Sequence, residues 1–181
     1  MKKIIVKDYD PEWALIFNSI YSFIWPHIKE QSISLEHVGS TSIKGLAAKP
    51  IIDIDIIVDS QDSSCCVIKS LETIGYKHLG DMGIADREAF TNPLNLPNHN
   101  LYVCLKGSLA LRNHLALRKI LRSHPDSAVE YGKLKKQLAR QCSNDIDAYV
   151  EGKTGFIVSL LKKSGFTNIE LSEISGVNKK K

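Results

Sequence analysis

Residues 50–58 constrain the fold more than any other segment of the chain. Every position except Pro50 and the acids Asp53 and Asp55 is isoleucine or valine. A short run of β-branched residues is typical of a buried strand. Side chains alternate along a strand, which places Asp53 and Asp55 on one face and the neighbouring isoleucines at 52, 54 and 56 on the other. The segment therefore predicts a central β-strand that carries two carboxylates side by side.

The two carboxylates need a neutralising partner, because like charges on one strand face repel each other and are costly to bury. Their Cα atoms are expected about 6.5 Å apart, from a rise of about 3.3 Å per residue. At that spacing Asp53 and Asp55 can converge on one or two divalent ions, and oxygen ligands favour Mg²⁺ or Mn²⁺ over zinc. The alternative is an exposed strand face on which both acids pair with lysine or arginine, and the apolar surroundings weigh against it.

A turn upstream of this strand has the composition of a phosphate site. It begins at Gly39-Ser40-Thr41 and is expected to open a helix of about two turns that Gly45 and Pro50 end. Glycine lets the backbone approach a phosphate closely. The hydroxyls and the N–H groups at a helix start can hold phosphate oxygens. Followed by the acidic strand, the turn predicts a triphosphate site with a metal bridging the phosphates to the acids.

The order of predicted elements indicates an α+β fold. Strands dominate the first half and include residues 99–105, whereas the chain is helical from about residue 109. A length of 181 residues fits one domain, which we assign to residues 1–170. Residues 171–181 are expected to form a polar tail.

Composition narrows the function further. The formal net charge of +4 favours anionic ligands, but it is too weak to predict a nucleic-acid-binding surface. Neither a Gly-x-Ser-x-Gly motif nor a Walker A motif is present, so serine hydrolase and P-loop chemistry are not supported. The four cysteines form no CxxC and are expected to be reduced thiols. No apolar run approaches the roughly 20 residues that cross a bilayer, so a cytoplasmic location without membrane contact is expected.

The stretch from His37 to Asp55 resembles the signature of the GrpB family, a branch of the nucleotidyltransferase superfamily. Further segments resemble the same family, and the likeness covers nearly the whole chain; they include residues 9–13, Gly75 with Tyr76, Arg87 with Phe90, residues 99–101, His124 with Pro125, Tyr131, Tyr149 and Lys153. The resemblance implies a mixed β-sheet flanked by helices. It also implies that Asp53 and Asp55 ligate a metal and that Ser40 contacts phosphate.

Several other polar residues are candidates for the same site. Lys49 and Arg87 lie within the matched segments and are expected to neutralise phosphate charge. His37, Glu36 and His99 are weaker candidates, since a lone histidine is more often packed and hydrogen-bonded than a ligand. Other cations, among them Arg118 and the lysines at 133, 135 and 136, are interpreted as the solvated faces of amphipathic helices. Residues 99–105 contain no acid, although nucleotidyltransferases usually have a third carboxylate on a later strand.

The sequence thus predicts a metal-dependent nucleotidyltransferase-like protein that binds a nucleoside triphosphate. A nucleotidyl group would pass to a hydroxyl of a small-molecule or protein acceptor. The alternative is a non-catalytic module of the same fold that binds a nucleotide or phosphometabolite, so whether the chain is an enzyme stays open. A third possibility is a nucleotidyltransferase of the toxin–antitoxin kind acting on RNA or protein, which the weak net charge does not favour for RNA.

Overall fold

The computed structural model describes residues 3–177. The strands are β1 (Ser34–Val38), β2 (Ile52–Val58), β3 (Lys77–Gly80), β4 (Arg87–Thr91) and β5 (His99–Leu105). The helices are α1 (Glu12–Ile28), α2 (Gln61–Thr73), α3 (Leu109–Ser123), α4 (Pro125–Gln141), α5 (Ile146–Lys162) and α6 (Asn168–Val177). A single 3₁₀ turn spans Ser40–Ser42.

The five strands form one mixed sheet in the order β1-β2-β5-β4-β3. β2 and β5 are parallel, and the other neighbouring pairs are antiparallel. The parallel pair needs a crossover, which α2, β3 and β4 provide along the chain. The predicted α+β class, with a mixed sheet and a helical C-terminal half, is confirmed.

One face of the sheet carries the main apolar core. Alternate residues of β2 on this face pack with the buried stripe of α1 and with α2; the buried members are Ile52, Ile54, Ile56 and Val58 of β2, Trp13, Ile20, Ile24 and Ile28 of α1, and Val67 and Leu71 of α2. These α1 residues recur at helical spacing, so their burial follows from the sequence pattern. An unpaired ionised group on this face would be buried among apolar side chains.

The opposite face of β2 is the polar one. Ile57 packs there against Cys104 of β5 and Leu111 of α3, so α3 covers this side of the sheet. Asp53 and Asp55 have the same parity as Ile57 and lie under α3. The alternation predicted for residues 50–58 is therefore confirmed, and it directs both carboxylates towards the C-terminal helices.

Two local expectations differ from the structure. The helix expected after Gly39 is only one 3₁₀ turn, because Ile43 is already extended, with φ −114° and ψ 114°. Residues 171–177 of the expected polar tail belong to α6, since Leu171 and Ile174 are buried against Leu161 and Phe166. The remainder of that tail, residues 178–181, lies outside the described residues. No helix within residues 3–177 is both long and apolar enough to cross a bilayer.

A capping box starts α6. The Thr167 N–H donates to Glu170 Oε2 at 2.8 Å, and the Glu170 N–H donates back to Thr167 Oγ1 at 3.3 Å. This reciprocal pair satisfies two N–H groups that a helix start otherwise leaves open. The Thr-x-x-Glu spacing is visible in the sequence and could have predicted the helix.

Candidate functional site

The turn at Gly39 and the acidic strand are in direct contact. Gly39 has φ 66° and ψ −171°, a conformation that residues with a side chain rarely adopt. A Cβ atom at this position would lie 2.1 Å from Oδ2 of Asp53. Glycine is therefore required twice, once for the backbone angle and once because the Asp53 carboxylate occupies the space.

Asp53 is held by a neighbour on the parallel strand. Asn100 faces Asp53 in the register of β2 and β5, and its Nδ2 donates to Asp53 Oδ1 at 2.7 Å. Burial raises the pKa of Asp53 and the Asp55 charge adds to the rise, whereas the Asn100 hydrogen bond and the charges of His114 and Lys153 oppose it. The ionised form of Asp53 is therefore disfavoured overall, and a bound cation would stabilise it.

Asp55 is completely buried, with 0% of its surface exposed. His114 of α3 donates from Nδ1 to Asp55 Oδ2 at 2.8 Å. Burial alone would lower the pKa of His114, but the carboxylates of Asp55 and Asp53 outweigh it and raise that pKa. Asp55 Oδ1 is buried and has no hydrogen-bond partner among the described residues. A buried acceptor without a partner costs about 1–3 kcal/mol, and a bound cation would offset that cost.

The donor set fits a nucleotide-bound Mg²⁺ or Mn²⁺. Within residues 3–177 no group of three or more His, Cys, Asp or Glu side chains is placed to hold a metal by itself. Mg²⁺ is commonly bound by one or two carboxylates, with substrate phosphates and water completing the shell. Asp53 and the free oxygen of Asp55 supply that number of ligands and no more.

Three lysines lie close enough to Asp53 for its charge to raise their pKa values. Lys135 of α4 donates from Nζ to Ser40 Oγ at 2.8 Å and is only 2% exposed. Lys49 precedes β2, and Lys153 belongs to α5; all three feel the charge of Asp53. We call Lys49, Lys135 and Lys153 the lysine cluster. One of its members, Lys135, contacts the Ser40 hydroxyl, and the charges of the other two act on Asp53 or on each other.

Crowding weakens the hold of the lysine cluster on its protons. Burial and the Lys153 charge lower the pKa of Lys135 to about 7, although Asp53 opposes the shift. Burial and the Lys49 charge lower the pKa of Lys153 to about 8, and burial also lowers that of Lys49. Cations that repel one another in this way favour a polyanion between them.

Aromatic rings orient the lysine cluster. Lys49 Nζ lies 5.6 Å and Lys153 Nζ 4.6 Å from the centroid of the Tyr149 ring. Lys135 Nζ lies 4.5 Å from the Tyr131 ring. Because Tyr131 and Tyr149 belong to α4 and α5, the C-terminal helices contribute directly to the site.

The solvated role predicted for Lys135 is wrong. Lys135 lies four residues after Tyr131, on the buried stripe of α4 that also carries Leu134. The sequence contained this signal, but a lysine among other lysines suggested a wet helix face. The predicted role of Lys49 as a phosphate cation stays a prediction, and its position beside Lys153 is compatible with it.

Thr41 and His37 turn away from the carboxylates. His37 Nε2 lies 3.0 Å from Thr41 Oγ1, and the His37 ring stacks on Phe17 of α1 with centroids 4.6 Å apart. Burial, with the charges of Arg122 and Arg118, lowers the pKa of His37 to about 4. A neutral, stacked imidazole stabilises the turn from the apolar face. The structure shows no contact of His37 or Thr41 with the carboxylate of Asp53 or Asp55.

His99 also belongs to the apolar face. Its Nδ1 donates to the Pro97 carbonyl at 2.7 Å, and its Nε2 accepts from the Tyr76 hydroxyl at 2.8 Å. Both ring nitrogens are therefore satisfied in a buried setting. The structure does not bring His99 to the carboxylates.

Glu36 lies on the same face as the acidic pair but is occupied. It is the register partner of Asp55 across β1 and β2. Both terminal nitrogens of Arg118 donate to Glu36 Oε2 at 3.0 Å, and Arg118 Nη1 also donates to the His37 carbonyl at 2.6 Å. Arg118 therefore connects α3 to β1 and is not a solvated residue. Because Glu36 is paired with Arg118, it is not free to act as a base.

Arg87 lies apart from the lysine cluster. It is at the start of β4, and its guanidinium carbon lies 4.3 Å from the centroid of the Tyr102 ring. No contact joins Arg87 to Ser40 among the described residues.

The side chains that sequence reasoning missed are His114, which it did not consider, and Asn100 and Lys153, which entered only through the family resemblance.

The fold is similar to that of a solved poly(U) polymerase. The structure superimposes on Cid1 poly(U) polymerase with MgGTP bound, at a TM-score of 0.54 and 18% identity, over 75% of this chain and 44% of that one. This likeness concerns the fold alone.

The chain belongs to the GrpB family. The family model described as "GrpB protein" matches residues 3–163. The crystal structure of the conserved protein GrpB from Enterococcus faecalis is 33% identical, with a TM-score of 0.78 over 93% of this chain and 98% of that one. UPF0157 protein YqkA of Bacillus subtilis is 36% identical over 156 residues, which are 86% of this chain but 46% of YqkA.

Proposed function

We propose that this chain binds a nucleoside triphosphate together with Mg²⁺ or Mn²⁺ and transfers its nucleotidyl group to a hydroxyl. The observation that carries the proposal is the pairing of two unsatisfied features. Lys135 is a buried cation that contacts Ser40 and is close enough to Lys153 for their charges to interact, and Asp55 Oδ1 is a buried oxygen without a hydrogen-bond partner among the described residues. A metal-bound triphosphate satisfies both at once.

The parts of the site have separate tasks in this proposal. Ser40 and the lysine cluster hold the outer phosphates, and Lys135 is positioned for this by its contact with Ser40. Asp53 and Asp55 would hold the metal, which neutralises charge on the phosphates when bound. Asn100 and His114 keep the two carboxylates oriented from the neighbouring strand and from α3.

The transfer step requires an acceptor hydroxyl. Its oxygen forms a bond to the α-phosphorus while the bond from that phosphorus to the bridging oxygen breaks, and pyrophosphate leaves. The hydroxyl proton passes to water, because both aspartates are assigned to the metal and Glu36 is paired with Arg118. Without a dedicated base the reaction is expected to be slow, since general-base catalysis contributes about 10²–10⁴-fold.

A binding module without turnover is the second candidate. The observation that favours it is Asn100, a neutral amide at the β5 position that contacts Asp53, where a third acid would be placed to act.

We further propose a cytoplasmic setting, where nucleotides are available. Support comes from the four cysteines, all of which are free.

Titration calorimetry tests the site. ATP, GTP, CTP and UTP are titrated with Mg²⁺ into the wild type, into Asp53→Asn with Asp55→Asn, and into the control Asp62→Asn, whose side chain is exposed in the first turn of α2. We expect at least one nucleotide to bind the wild type and the control equally, and the double variant at least about tenfold more weakly. Equal binding by all three proteins, or binding by none, would exclude the site.

Turnover separates the two candidate functions. Release of pyrophosphate is measured with the nucleotide that binds and a panel of hydroxyl acceptors. Release that the double variant abolishes supports the transferase. Tight metal-dependent binding with no release across the panel supports the binding module.

A further inference from the structure

A second cavity, of about 290 Å³, is lined in part by His114, the residue that contacts Asp55. Its walls are the loop before β4, the start of α3 and one face of α6. The lining side chains that bear on its chemistry are Asp86, Arg87, Asn113, His114 and Glu173. None of the lysine cluster lines this cavity, so it is distinct from the triphosphate site.

Arg87 is a cation without a counter-ion in this cavity. Its Nε is buried and has no hydrogen-bond partner, and among residues 3–177 no carboxylate forms an ion pair with it. The Tyr102 ring supports the guanidinium from one face, and no described residue accepts a hydrogen bond from Nε. A buried donor without an acceptor is costly, and the planar edge of arginine matches a carboxylate.

Asn113 presents the complementary need. Its Oδ1 is buried in the wall of the same cavity and accepts no hydrogen bond from the described residues. It requires a donor, such as a hydroxyl or an ammonium group. A ligand that satisfies both side chains therefore combines an anionic group with a hydrogen-bond donor.

The remaining charges select the kind of anion. Asp86 and Glu173 also line the cavity, and both are exposed residues that pair with none of its cations. His114 faces the cavity too, but its charge is already matched by Asp55. Arg87 is then the single uncompensated cation among the described residues of the cavity wall, which suits a monoanion and disfavours a phosphate or polyphosphate.

We infer that this cavity binds a small molecule with one carboxylate and a nearby hydroxyl or ammonium group. The carboxylate contacts Arg87, and the donor contacts Asn113 Oδ1. Because His114 belongs both to this cavity and to the Asp55 contact, the ligand lies beside the metal pair. Its role as the acceptor of the nucleotidyl group rests on the proposed function, whereas its binding does not.

Binding is measured without nucleotide or metal, by following amide cross-peaks of the ¹⁵N-labelled protein during titration. The probes are glycerate and serine, with glycerol as the neutral analogue and inorganic phosphate as the dianion. We expect glycerate or serine to bind and to shift the cavity-lining residues of α3 and α6, which are Leu109, Ala110, Asn113, His114, Glu173, Ile174 and Val177. We expect glycerol and phosphate to leave these residues unshifted.

Three variants decide whether Arg87 and Asn113 form the site. Arg87→Gln and Asn113→Asp are each expected to weaken carboxylate binding at least about tenfold, the first by removing the cation and the second by adding a competing anion. Asp62→Asn, at an exposed position in the first turn of α2, is the control and is expected to bind the carboxylate like the wild type. Cross-peak dispersion of each variant confirms that it is folded.

The inference is overturned if neither carboxylate binds, if glycerol or phosphate binds there as well as glycerate, or if Arg87→Gln and Asn113→Asp both bind normally. Nucleotide titrations on the same proteins keep this result separate from the proposed function. Arg87→Gln with normal metal–nucleotide binding assigns Arg87 to the second cavity. Carboxylate binding in a protein that binds no nucleotide supports the cavity and refutes the transferase.

Discussion

Replacing Gly39 with alanine tests the contact that joins the turn to the acidic strand. The φ of 66° and ψ of −171° cost about 1–3 kcal/mol for a residue with a side chain. The new Cβ would also lie 2.1 Å from Asp53 Oδ2, so the carboxylate must move by roughly 1 Å or more to reach a contact distance. Loss of its hydrogen bond from Asn100 adds about 1 kcal/mol. We expect the free energy of unfolding to fall by about 2–4 kcal/mol.

Gly45→Ala is the matched control. Gly45 has φ 82°, and a methyl group on its Cα would meet no described atom within 4 Å apart from its own chain neighbours. The substitution therefore carries the backbone cost of about 1–2 kcal/mol without displacing any ligand. Urea unfolding followed by circular dichroism gives the stability of both variants, and calorimetry gives their affinity for the metal–nucleotide complex.

The two variants are expected to separate most clearly in binding. Gly39→Ala displaces Asp53, the proposed metal ligand, and is expected to bind the metal–nucleotide complex at least about tenfold more weakly than Gly45→Ala. If both variants unfold and bind alike, the Asp53 carboxylate does not depend on the space at Gly39. Gly39 would then have no part in positioning the carboxylate of Asp53.

Three further predictions concern the lysine cluster, α6 and β5. The folded-state pKa of about 7 for Lys135 lies below the unfolded value, so the unfolded chain holds more protons above pH 7 and the free energy of unfolding rises towards pH 10. In urea unfolding at pH 6 to 10, Lys135→Met should flatten that slope, and an unchanged slope would contradict a buried lysine. Leu171→Ala should cost about 2–4 kcal/mol in the same assay, whereas Ile169→Ala at an exposed position should cost almost nothing; equal costs would mean that α6 does not pack. Asn100→Asp places a third carboxylate beside Asp53, so the melting temperature should fall without metal and recover with Mg²⁺, and a fall that Mg²⁺ does not reverse would count against a metal site.

The strands and the face of the acidic pair were predictable because their information is local. Alternation along residues 50–58 fixes which side chains share a face, and no distant residue is needed to read it. The start of α6 was also locally encoded, by Thr167 and Glu170, but a polar composition concealed it. In each case a short segment contained the answer.

The partners of the acids were not predictable in this way. His114 reaches Asp55 across 59 residues of sequence, and Lys135 reaches Ser40 across 95. These contacts depend on how α3 and α4 dock on the sheet, which no local pattern specifies. The histidines near the signature misled for the same reason: His37 and His99 are close in sequence to site residues, but strand alternation and packing place them on the apolar face.

The division of the site between sheet and helices has a consequence for the folding of the whole chain. The carboxylates come from β2, but two members of the lysine cluster come from α4 and α5, so an anion held between them connects the two halves of the molecule. Any ligand that requires both halves resists their separation by RT ln(1 + [L]/Kd), about 2.7 kcal/mol at a hundred times its Kd. Hydrogen exchange of α4 and α5 should then slow by a factor of up to 1 + [L]/Kd. In the absence of ligand, repulsion between Lys135 and Lys153 opposes the packing of α4 on α5.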